Sequence, residues 1–530
     1  MTVSPDLLAR HVEEFLAESP GAIVREDGEM TYEMTSARYS ISLQHGKCLL
    51  HLWSPERNSV RRVVEAETVT GKLRLSVMQF GRSQPQRLEI CRDADVRSPS
   101  DRKAARSAYQ RELQKILRRT FPGHLIENFT SAMDLKHSFG PVYARGLLGH
   151  GNSAHAVLGV NAQESQSSID AALTFGLLWL DVCREREAPR RVLKGLKLFV
   201  PRGTSDVVSA RIGFLNHELA SFELYEVDGS EKPNSPEEVT EIDTQDRGNI
   251  ATRLVRCADY RAVRERFMAS IAVVEELASA ASAEKPPIEI AVLSGSEIGF
   301  RFNGLQFARA RLGLEPGSFN RVEEIIFGGG GSETILTEDN GQRLAEWIKR
   351  LIISRRAGGD RHNPLWRMHP ERWLESLVIP AIQHLDSRFD AQWVYSQVPA
   401  FAASDRAMID ILTVTQGGRL AVLELKADED IHLPLQGLDY WARVRWHHMR
   451  GEFTRFGYFS GKQLSLDSPL LFLVAPALRI HPAFDSILRY FSREIDVSLL
   501  AVDERWRENL RVVFRKNRSQ PGMSPLEDGS

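Results

Sequence analysis

A strand-like run near the C-terminus carries two charged side chains in an otherwise apolar sequence, RLAVLELKAD over residues 419–428. Because side chains alternate between the two faces of a strand, Glu424 and Lys426 lie on the same face. Burial of such charges is unfavourable unless each has a partner or a bound metal ion. The run therefore predicts a buried strand whose charged residues take part in chemistry, although a surface strand with solvated charges remains the alternative interpretation.

Polar residues also occur in the segments on both sides of this strand. Asp410 lies near the centre of the preceding apolar run, RAMIDILTV. Pro434 can open a helix at its first turn, and Gln436 and Tyr440 would lie one turn apart on that helix. These segments therefore predict an acidic strand residue and a polar helix face beside Glu424.

A further helix is predicted upstream, over MHPERWLESLVIPAIQHL at residues 368–385. Its apolar residues recur with the helical period, and Glu371, Glu375 and Val378 fall along one face. We expect one of these two glutamates to reach the same site as the charged strand.

The order of these residues, an Asp, then Glu-x-Lys, then a helix with Gln-x-x-x-Tyr, resembles the PD-(D/E)XK nuclease superfamily, and the helix is similar to that of its RecB-type members. The resemblance covers roughly residues 360–505 and implies a restriction endonuclease-like α-β-β-β-α-β core. One position departs from the family pattern, because Ile409 rather than Pro precedes the Asp. The catalytic residues implied by position are Asp410, Glu424, Lys426, Gln436 and Tyr440.

The resemblance further implies a Mg²⁺ or Mn²⁺ cofactor bound by Asp410, Glu424 and Glu375, with Glu371 as the competing helical acid. Hard carboxylate oxygens suit these ions, and a metal that bridges a phosphate polarises it and activates water. Lys426 would position or activate that water, and its ammonium would stabilise charge on the phosphate oxygens. The implied activity is metal-dependent hydrolysis of phosphodiester bonds in DNA.

The formal net charge of −2 gives no overall attraction to nucleic acid, so any positive field must be local. The substrate-binding candidates are Arg443, Arg445 and His447, which follow the charged strand. Two other functions stay open: an RNA-directed nuclease of the same fold, and a non-catalytic nucleic-acid-binding or scaffold protein with a vestigial metal site. The glycine run FGGGGSE lacks the Gly-Lys-Ser/Thr ending of a phosphate loop, so any helicase or ATPase partner is expected to be a separate protein.

A related pattern lies upstream of the charged strand. The segment AVLGVNAQESQSSIDAALTF aligns without a gap with AVLELKADEDIHLPLQGLDY, and LKLFVP at 196–201 then aligns with LFLVAP at 471–476. These matches predict an internal duplication. The positions that match Asp410, Glu424, Lys426, Gln436 and Tyr440 hold Arg145, Gly159, Asn161, Ala171 and Phe175. We therefore expect the earlier copy to lack a metal site and to hold substrate or mediate a homodimer.

The chain is long enough for several domains, and its composition is ordinary for a globular protein. We predict a multi-domain protein of mixed α/β and α+β class with five regions. These are a β-rich N-terminal domain (1–99), a degenerate restriction endonuclease-like unit (100–228), a linker and α/β insert region (229–360), a PD-(D/E)XK nuclease-like domain (361–516) and a disordered tail (517–530).

The sequence also bears on the compartment in which the chain works. Its four cysteines are widely spaced without a Cys-x-x-Cys pair, which argues against a disulfide framework or a zinc site. The N-terminal segment has the pattern of an acidic amphipathic helix rather than a signal peptide, and no apolar run approaches the roughly 20 residues that span a bilayer. We expect a cytoplasmic protein without a membrane partner.

Overall fold

The computed structural model shows a mixed α/β protein with several sheets, organised in two compact units. The first unit comprises residues 1–105, 270–281 and 307–348, and the second comprises 106–269, 282–306 and 349–530. The structure describes residues 5–19, 21–26, 29–34, 37–44, 47–53, 58–69, 72–79, 86–91, 99–188, 190–228, 239–245, 252–282, 286–314, 321–328, 334–402 and 408–518.

A seven-stranded antiparallel sheet forms the core of the first unit, in the region where the sequence predicts a β-rich domain. Its elements are α1 (Pro5–Ala17), β1 (Ile23–Glu26), β2 (Glu29–Glu33), β3 (Arg38–Gln44), β4 (Lys47–Trp53), β5 (Asn58–Val69), β6 (Lys72–Gln79) and β7 (Gln86–Cys91). The strand order is β2-β1-β7-β6-β5-β4-β3. Alternate residues of β4 are buried, as expected for a sheet with one covered face. Helix α1 covers that face through Val12 and Leu16.

The first unit also contains two later segments of the chain, residues 270–281 and 307–348. The elements there are α7 (Met268–Ala281), β17 (Leu305–Leu314), β18 (Arg321–Phe327), β19 (Thr334–Ile335) and α8 (Gly341–Ser354). Strands β17, β18 and β19 pair in antiparallel fashion. The last five residues of the predicted glycine-rich segment, 329–333, lie outside the described residues, as does the tail beyond residue 518.

Two sheets form the second unit, and the first of them has six strands. Its elements are α2 (Pro99–Thr120), β8 (Leu125–Thr130), β9 (Tyr143–His150), β10 (Ser153–Val160), α3 (Gln166–Asp170), α4 (Ala172–Glu187), β11 (Val192–Pro201), α5 (Asp206–Ile212), β12 (Ser221–Val227) and β13 (Val239–Ile242). The order is β13-β12-β11-β10-β9-β8, with β10, β11 and β12 parallel and the other pairs antiparallel. Helices α2 and α4 contribute to the cores on its two faces, so the central parallel strands β10 and β11 are largely buried.

The second sheet of this unit has seven strands and carries the charged strand. The elements of this region are β14 (Thr252–Leu254), α6 (Tyr260–Arg266), β15 (Ile288–Ser294), β16 (Glu297–Phe302), α9 (Pro364–Arg367), α10 (Pro370–Val378), α11 (Ile382–Leu385), β20 (Phe389–Ala402), β21 (Met408–Thr415), β22 (Leu420–Leu425), α12 (Leu433–Met449), α13 (Glu452–Arg455), β23 (Leu470–Pro476), α14 (Phe484–Arg489), β24 (Asp496–Val502) and β25 (Val512–Arg518). The order is β14-β20-β21-β22-β23-β24-β25. Strands β22, β23 and β24 are parallel, the other pairs antiparallel. The predicted linker thus contributes edge strands, β13 to one sheet and β14 to the other.

The six strands β8 to β13 have the same order and the same relative directions as β20 to β25. The registers correct the gapless alignment, however. If LKLFVP and LFLVAP are matched, then Leu158, which pairs with Leu198, corresponds to Glu424, which pairs with Leu473. The strand alignment was therefore wrong by one residue, and its side chains fell on the opposite face.

The helix alignment also shifts, because the five-residue helix α3 lengthens the first copy between strand and helix. A Cβ added to Gly176 would meet Leu196 and Leu198, and one added to Gly437 would meet Leu471 and Leu473, so these two glycines correspond. In the corrected alignment, Val160, Phe175 and Trp179 of the first copy correspond to Lys426, Gln436 and Tyr440 of the second. Arg145 pairs with Leu158 and keeps its correspondence to Asp410.

Helices from the two sheets pack together in one hydrophobic core of the second unit. At the centre of this packing the backbone of Asn216 donates to the carbonyl of Tyr490 over 2.7 Å, and that of Ser492 donates to Phe214 over 2.8 Å. The exchange is reciprocal, as at a two-fold axis. Among the described residues, no helix is both long and apolar enough to cross a membrane.

Candidate functional site

Two neighbouring antiparallel strands bring the first two acidic residues together. Ile411 pairs with Leu423, which sets Asp410 of β21 opposite Glu424 of β22. The backbone N–H of Leu425 donates to Oδ2 of Asp410 over 3.0 Å, and this fixes the carboxyl group at the strand end. The Glu424 side chain is only 4% exposed. The strand pattern therefore places two carboxyl groups side by side in a buried position.

A third carboxyl group comes from helix α10. Gln397 of β20 donates from Nε2 to Oε2 of Glu375 over 2.9 Å and lies 3.3 Å from Oδ1 of Asp410. The structure thus brings Glu375 to the cluster, whereas the charge of Glu371 acts on Arg507. Of the two helical acids considered from the sequence, Glu375 is the one at the site.

Gln397 adopts an uncommon backbone conformation. Its φ of 53° lies in the left-handed region, which a residue with a side chain rarely occupies within a strand. The residues on either side of it, Ser396 and Val398, remain paired with β21 in one register. Backbone strain of this kind is typical of positions that orient a functional group. Here it directs the Gln397 amide at two carboxyl groups.

Three buried oxygens on the helices and strands that carry the predicted site residues have no hydrogen-bond partner among the described residues. They are Oε1 of Glu375, Oε2 of Glu424 and Oε1 of Gln436. Buried polar atoms are nearly always partnered, and oxygen donors are those that Mg²⁺ and Mn²⁺ prefer. The donor set therefore fits a hard divalent cation, with Asp410 as the carboxylate between the strand and helix acids.

The side chains are not arranged to hold such an ion as they stand. Within the described ranges, no three His, Cys, Asp or Glu side chains form a metal-binding group. Arg372 instead donates from Nη1 to Oε2 of Glu375 over 2.8 Å and lies 3.8 Å from Oδ1 of Asp410. A guanidinium thus partly compensates the carboxylates. A metal ion would have to compete with Arg372 for them.

Burial controls the protonation of the acidic residues. It raises the pKa of Glu375 to about 7, with the charge of Arg372 acting in the opposite direction. Burial also raises the pKa of Asp410. It raises the pKa of Glu424 well above its ordinary value, and the adjacent charge of Asp410 raises that pKa further. Two adjacent buried carboxyl groups disfavour a second negative charge, and a bound cation would offset their repulsion.

Lys426 and Tyr440 have settled protonation states at the same site. Burial acts to lower the pKa of Lys426, but the charges of Glu424, Asp430 and Asp410 outweigh it, so the pKa is raised. The ammonium lies 3.7 Å from Oε1 of Glu424 and 3.3 Å from Oδ2 of Asp430. Burial, with the nearby acids, also raises the pKa of Tyr440. Lys426 is therefore a cation and Tyr440 a neutral phenol at neutral pH.

Of the three predicted substrate-binding residues, only Arg443 lies beside the site. Its guanidinium carbon is 5.9 Å from the centre of the Tyr440 ring. Arg445 is half a helical turn away from Gln436, because nine residues at 3.6 per turn complete two and a half turns. It contacts the rings of Phe214 and Trp441 instead.

His447 has the expected helical phase but is buried. Its ring contacts the carboxylate of Glu452 in α13 and lies 3.1 Å from the hydroxyl of Thr252 in β14. Nothing in the sequence pattern indicated that α13 and β14 cover this end of α12. Arg372 and Gln397 were not predicted as site residues either. The one available signal was the position of Arg372, three residues before Glu375.

Comparison with known proteins adds no relative. No protein-family model matches the chain. A search of curated proteins likewise gives no significant match. The function is therefore inferred from the residues of the site.

Proposed function

We propose that this chain is a metal-dependent phosphodiesterase that hydrolyses DNA at the site formed by Glu375, Asp410, Glu424 and Lys426. The observation that carries the proposal is the set of three buried oxygens without partners, on two of these acids and on Gln436. Three carboxyl groups and a protonated lysine at one strand end are groups that could hold a metal ion and stabilise negative charge on a phosphodiester.

The element order supports the family resemblance as part of this proposal. Around the site it is α10, β20, β21, β22, α12, β23 when the four-residue helices α11 and α13 are set aside, which reads α-β-β-β-α-β. We propose that this region is a restriction endonuclease-like core of the PD-(D/E)XK type. The matching order in α2, β8, β9, β10, α4 and β11 supports a duplicated copy without the acidic cluster.

Asp410, Glu424 and Glu375 would hold Mg²⁺ or Mn²⁺, with Gln436 as a further oxygen donor. When bound, the ion would polarise the phosphodiester and make a nucleophile of water at neutral pH. The ammonium of Lys426 would stabilise negative charge on the phosphate oxygens. In the metal-free chain the charges of the neighbouring acids raise the pKa of Lys426, which suits this electrostatic role.

The surrounding residues have supporting roles in the proposal. Gln397 orients Glu375 and Asp410 through its amide. Tyr440 and Arg443 form a face of α12 beside the acids, where a substrate phosphate would find a cation. Arg372 would release the carboxylates when the ion binds and would then be free to contact the phosphate. The chain's four cysteines are free thiols, which suits the reducing cytoplasm in which we place it.

A second candidate function is a non-catalytic nucleic-acid-binding or scaffold protein with a vestigial site. The observation that favours it is the position of Arg372, which forms an ion pair where a metal would bind. Under this proposal the guanidinium replaces the cation permanently, and the carboxyl groups serve only to anchor helix α10 to the sheet.

The deciding experiment is a cleavage assay with Mg²⁺, Mn²⁺ or EDTA on labelled single-stranded, duplex and branched DNA and on matched RNA. The test variant is Glu424→Ala with Lys426→Ala. Its matched control is Glu112→Ala with Lys115→Ala, which removes an exposed ion pair from α2. We expect metal-dependent cleavage of DNA by the wild type and the control but not by the test variant.

The other outcomes separate the alternatives. Cleavage of RNA in preference to DNA would indicate an RNA-directed nuclease of the same fold. Binding without cleavage of any substrate, unchanged in the test variant, would favour the non-catalytic protein. Calorimetric titration with Mn²⁺ gives a readout that does not depend on activity, and absence of binding would remove the metal site from the proposal.

A further inference from the structure

An open cavity of about 740 Å³ lies in the first half of the second unit. Its lining includes Arg145 of β9 and Trp179 of α4. By the registers described above, Arg145 corresponds to Asp410 and Trp179 to Tyr440. The cavity therefore stands at the place where the other half of the unit has its acidic cluster, and it has an arginine in place of a carboxylate.

Arg145 is a buried cation that is only partly compensated. The residue is 2% exposed, and its Nε is without a hydrogen-bond partner. Its Nη2 donates to the carbonyl of Ala132 over 2.5 Å, and its guanidinium carbon lies 4.6 Å from the Phe139 ring and 5.6 Å from the Trp179 ring. No carboxylate of the described residues lies within ion-pair distance of it. The charge of Asp134 acts on Arg145 from beyond that distance. Because a buried guanidinium whose counter-charge is remote is unfavourable, an anion in the cavity would stabilise it.

The rim of the cavity adds a second arginine. Arg186 is 52% exposed and lies 3.8 Å from Oδ2 of Asp134. That carboxylate already has a partner, because it lies 2.8 Å from the ring Nδ1 of His137. Two guanidinium groups therefore line the cavity together with a single carboxylate, which interacts with both of them and with His137.

We propose that this cavity binds a phosphate group directly, through Arg145 and Arg186 and without a metal ion. A guanidinium presents several N–H donors in a planar fork that matches the oxygens of a phosphate. The exchange of Asp410 for Arg145 at one position reverses the charge of the site. A half that would hold phosphate through a cation is thus matched by a half that holds it through an arginine.

The phosphate can belong to a nucleic-acid strand or to a free nucleotide, since both carry the same group. The exposed side chains of Met133 and Leu135, which also line the cavity, offer apolar contacts for a sugar or base. The proposal does not require the acidic cluster to be catalytic. Its test can therefore be made in EDTA, where metal-dependent binding at the other half is suppressed.

The experiment measures binding by the full chain in EDTA. Fluorescence anisotropy reports a labelled single-stranded oligonucleotide with or without a 5′-phosphate, and calorimetry reports inorganic phosphate and a deoxynucleoside monophosphate. The variants are Arg145→Gln and Arg186→Gln. The matched control is Arg118→Gln, which removes an exposed arginine from α2, the helix of the opposite face.

We expect Arg145→Gln to weaken phosphate binding about tenfold and Arg186→Gln to weaken it severalfold, with a shallower salt dependence in both. The control should match the wild type. Tighter binding of the oligonucleotide than of the monophosphate would assign the site to a strand, and the reverse order to a free nucleotide.

Two results would overturn the proposal. One is a wild type that binds none of these phosphates in EDTA. The other is a pair of variants with wild-type affinity, which would make Arg145 a packing residue between two rings. If circular dichroism shows that Arg145→Gln does not fold, Arg145→Lys together with Arg186→Gln decides, since the lysine keeps the charge but loses the fork.

Discussion

Arg372 donates a hydrogen bond from Nη1 to Oε2 of Glu375 over 2.8 Å, and the same nitrogen lies 3.8 Å from Oδ1 of Asp410. A single guanidinium therefore contacts two of the three acids that would hold a metal ion. Because like charges repel in a buried site, the ion pair and a bound cation oppose each other. This relation makes metal binding sensitive to a residue that is not itself a ligand.

The first prediction concerns that competition. Arg372→Gln removes the competing charge and should tighten Mn²⁺ binding roughly tenfold, equivalent to about 1.4 kcal/mol. On the proposed activity, turnover at saturating metal should fall, because the variant loses the cation that would contact the phosphate. Calorimetry and single-turnover cleavage measure the two effects separately. Weaker Mn²⁺ binding in this variant would contradict the assigned role.

The second prediction concerns pH. The pKa of Glu375 is raised from its ordinary 4.5 to about 7 in the folded chain. Between these values the unfolded chain loses a proton that the folded chain keeps, so Glu375 reduces stability as pH rises through this window. Glu375→Gln should therefore gain stability over the wild type with rising pH, by an amount on the order of 3 kcal/mol by pH 8.

Chemical denaturation in EDTA at several pH values measures this difference. Added Mg²⁺ should reduce it, because the ion stabilises the ionised wild-type carboxylate and not the amide. A difference in stability that stays constant from pH 5 to pH 8 would show that Glu375 titrates normally.

The third prediction separates strain from function at Gln397. Gln397→Gly relieves a left-handed backbone position and should raise the free energy of unfolding by about 1 kcal/mol. The same change removes the amide that orients Glu375 and Asp410, so Mn²⁺ affinity should drop about tenfold or more. Gln397→Asn tolerates the backbone but has a shorter reach, and it serves as the comparison. Unchanged Mn²⁺ affinity in the glycine variant would leave Gln397 without an orienting role.

The fourth prediction tests the packing of the two halves of the second unit. Arg211 is buried and pairs with Asp439 of α12 through two hydrogen bonds, at 2.9 and 2.7 Å. Asp439→Asn leaves that guanidinium without its counter-charge and should destabilise the chain by about 3 kcal/mol. Arg118→Gln on the exposed face of α2 should cost almost nothing. Thermal unfolding of the two variants gives the comparison, and equal melting temperatures would contradict the prediction.

Strand alternation was sufficient to predict the central part of the site. It placed Glu424 and Lys426 on one face, and the preceding apolar run placed Asp410 beside them, because both features depend only on local period. Gln397 could not be predicted in this way. Its proposed role depends on a left-handed backbone position in the neighbouring strand β20, which no local pattern encodes.

In the helices, too, local spacing predicted some positions correctly and others were assigned wrongly. Gln436 and Tyr440 were predicted from a one-turn spacing, whereas Arg445 was assigned to the site against its helical phase. The gapless alignment failed first in the strand, where an error of one residue put the side chains on the opposite face. It failed again at the helix, because α3 lengthens the first copy. Local period is thus reliable within an element, and tertiary context decides between elements.

The reciprocal hydrogen bonds around Leu215 and Phe491 join two halves of similar topology, of which one alone carries the acidic cluster. A homodimeric endonuclease with two-fold symmetry has two active sites, one for each strand of a duplex. In this chain, the half that corresponds to the second site has Arg145 at the position of Asp410. On the proposed activity, each encounter with a duplex would break one strand, and supercoiled plasmid would accumulate as nicked circles before any linear product formed.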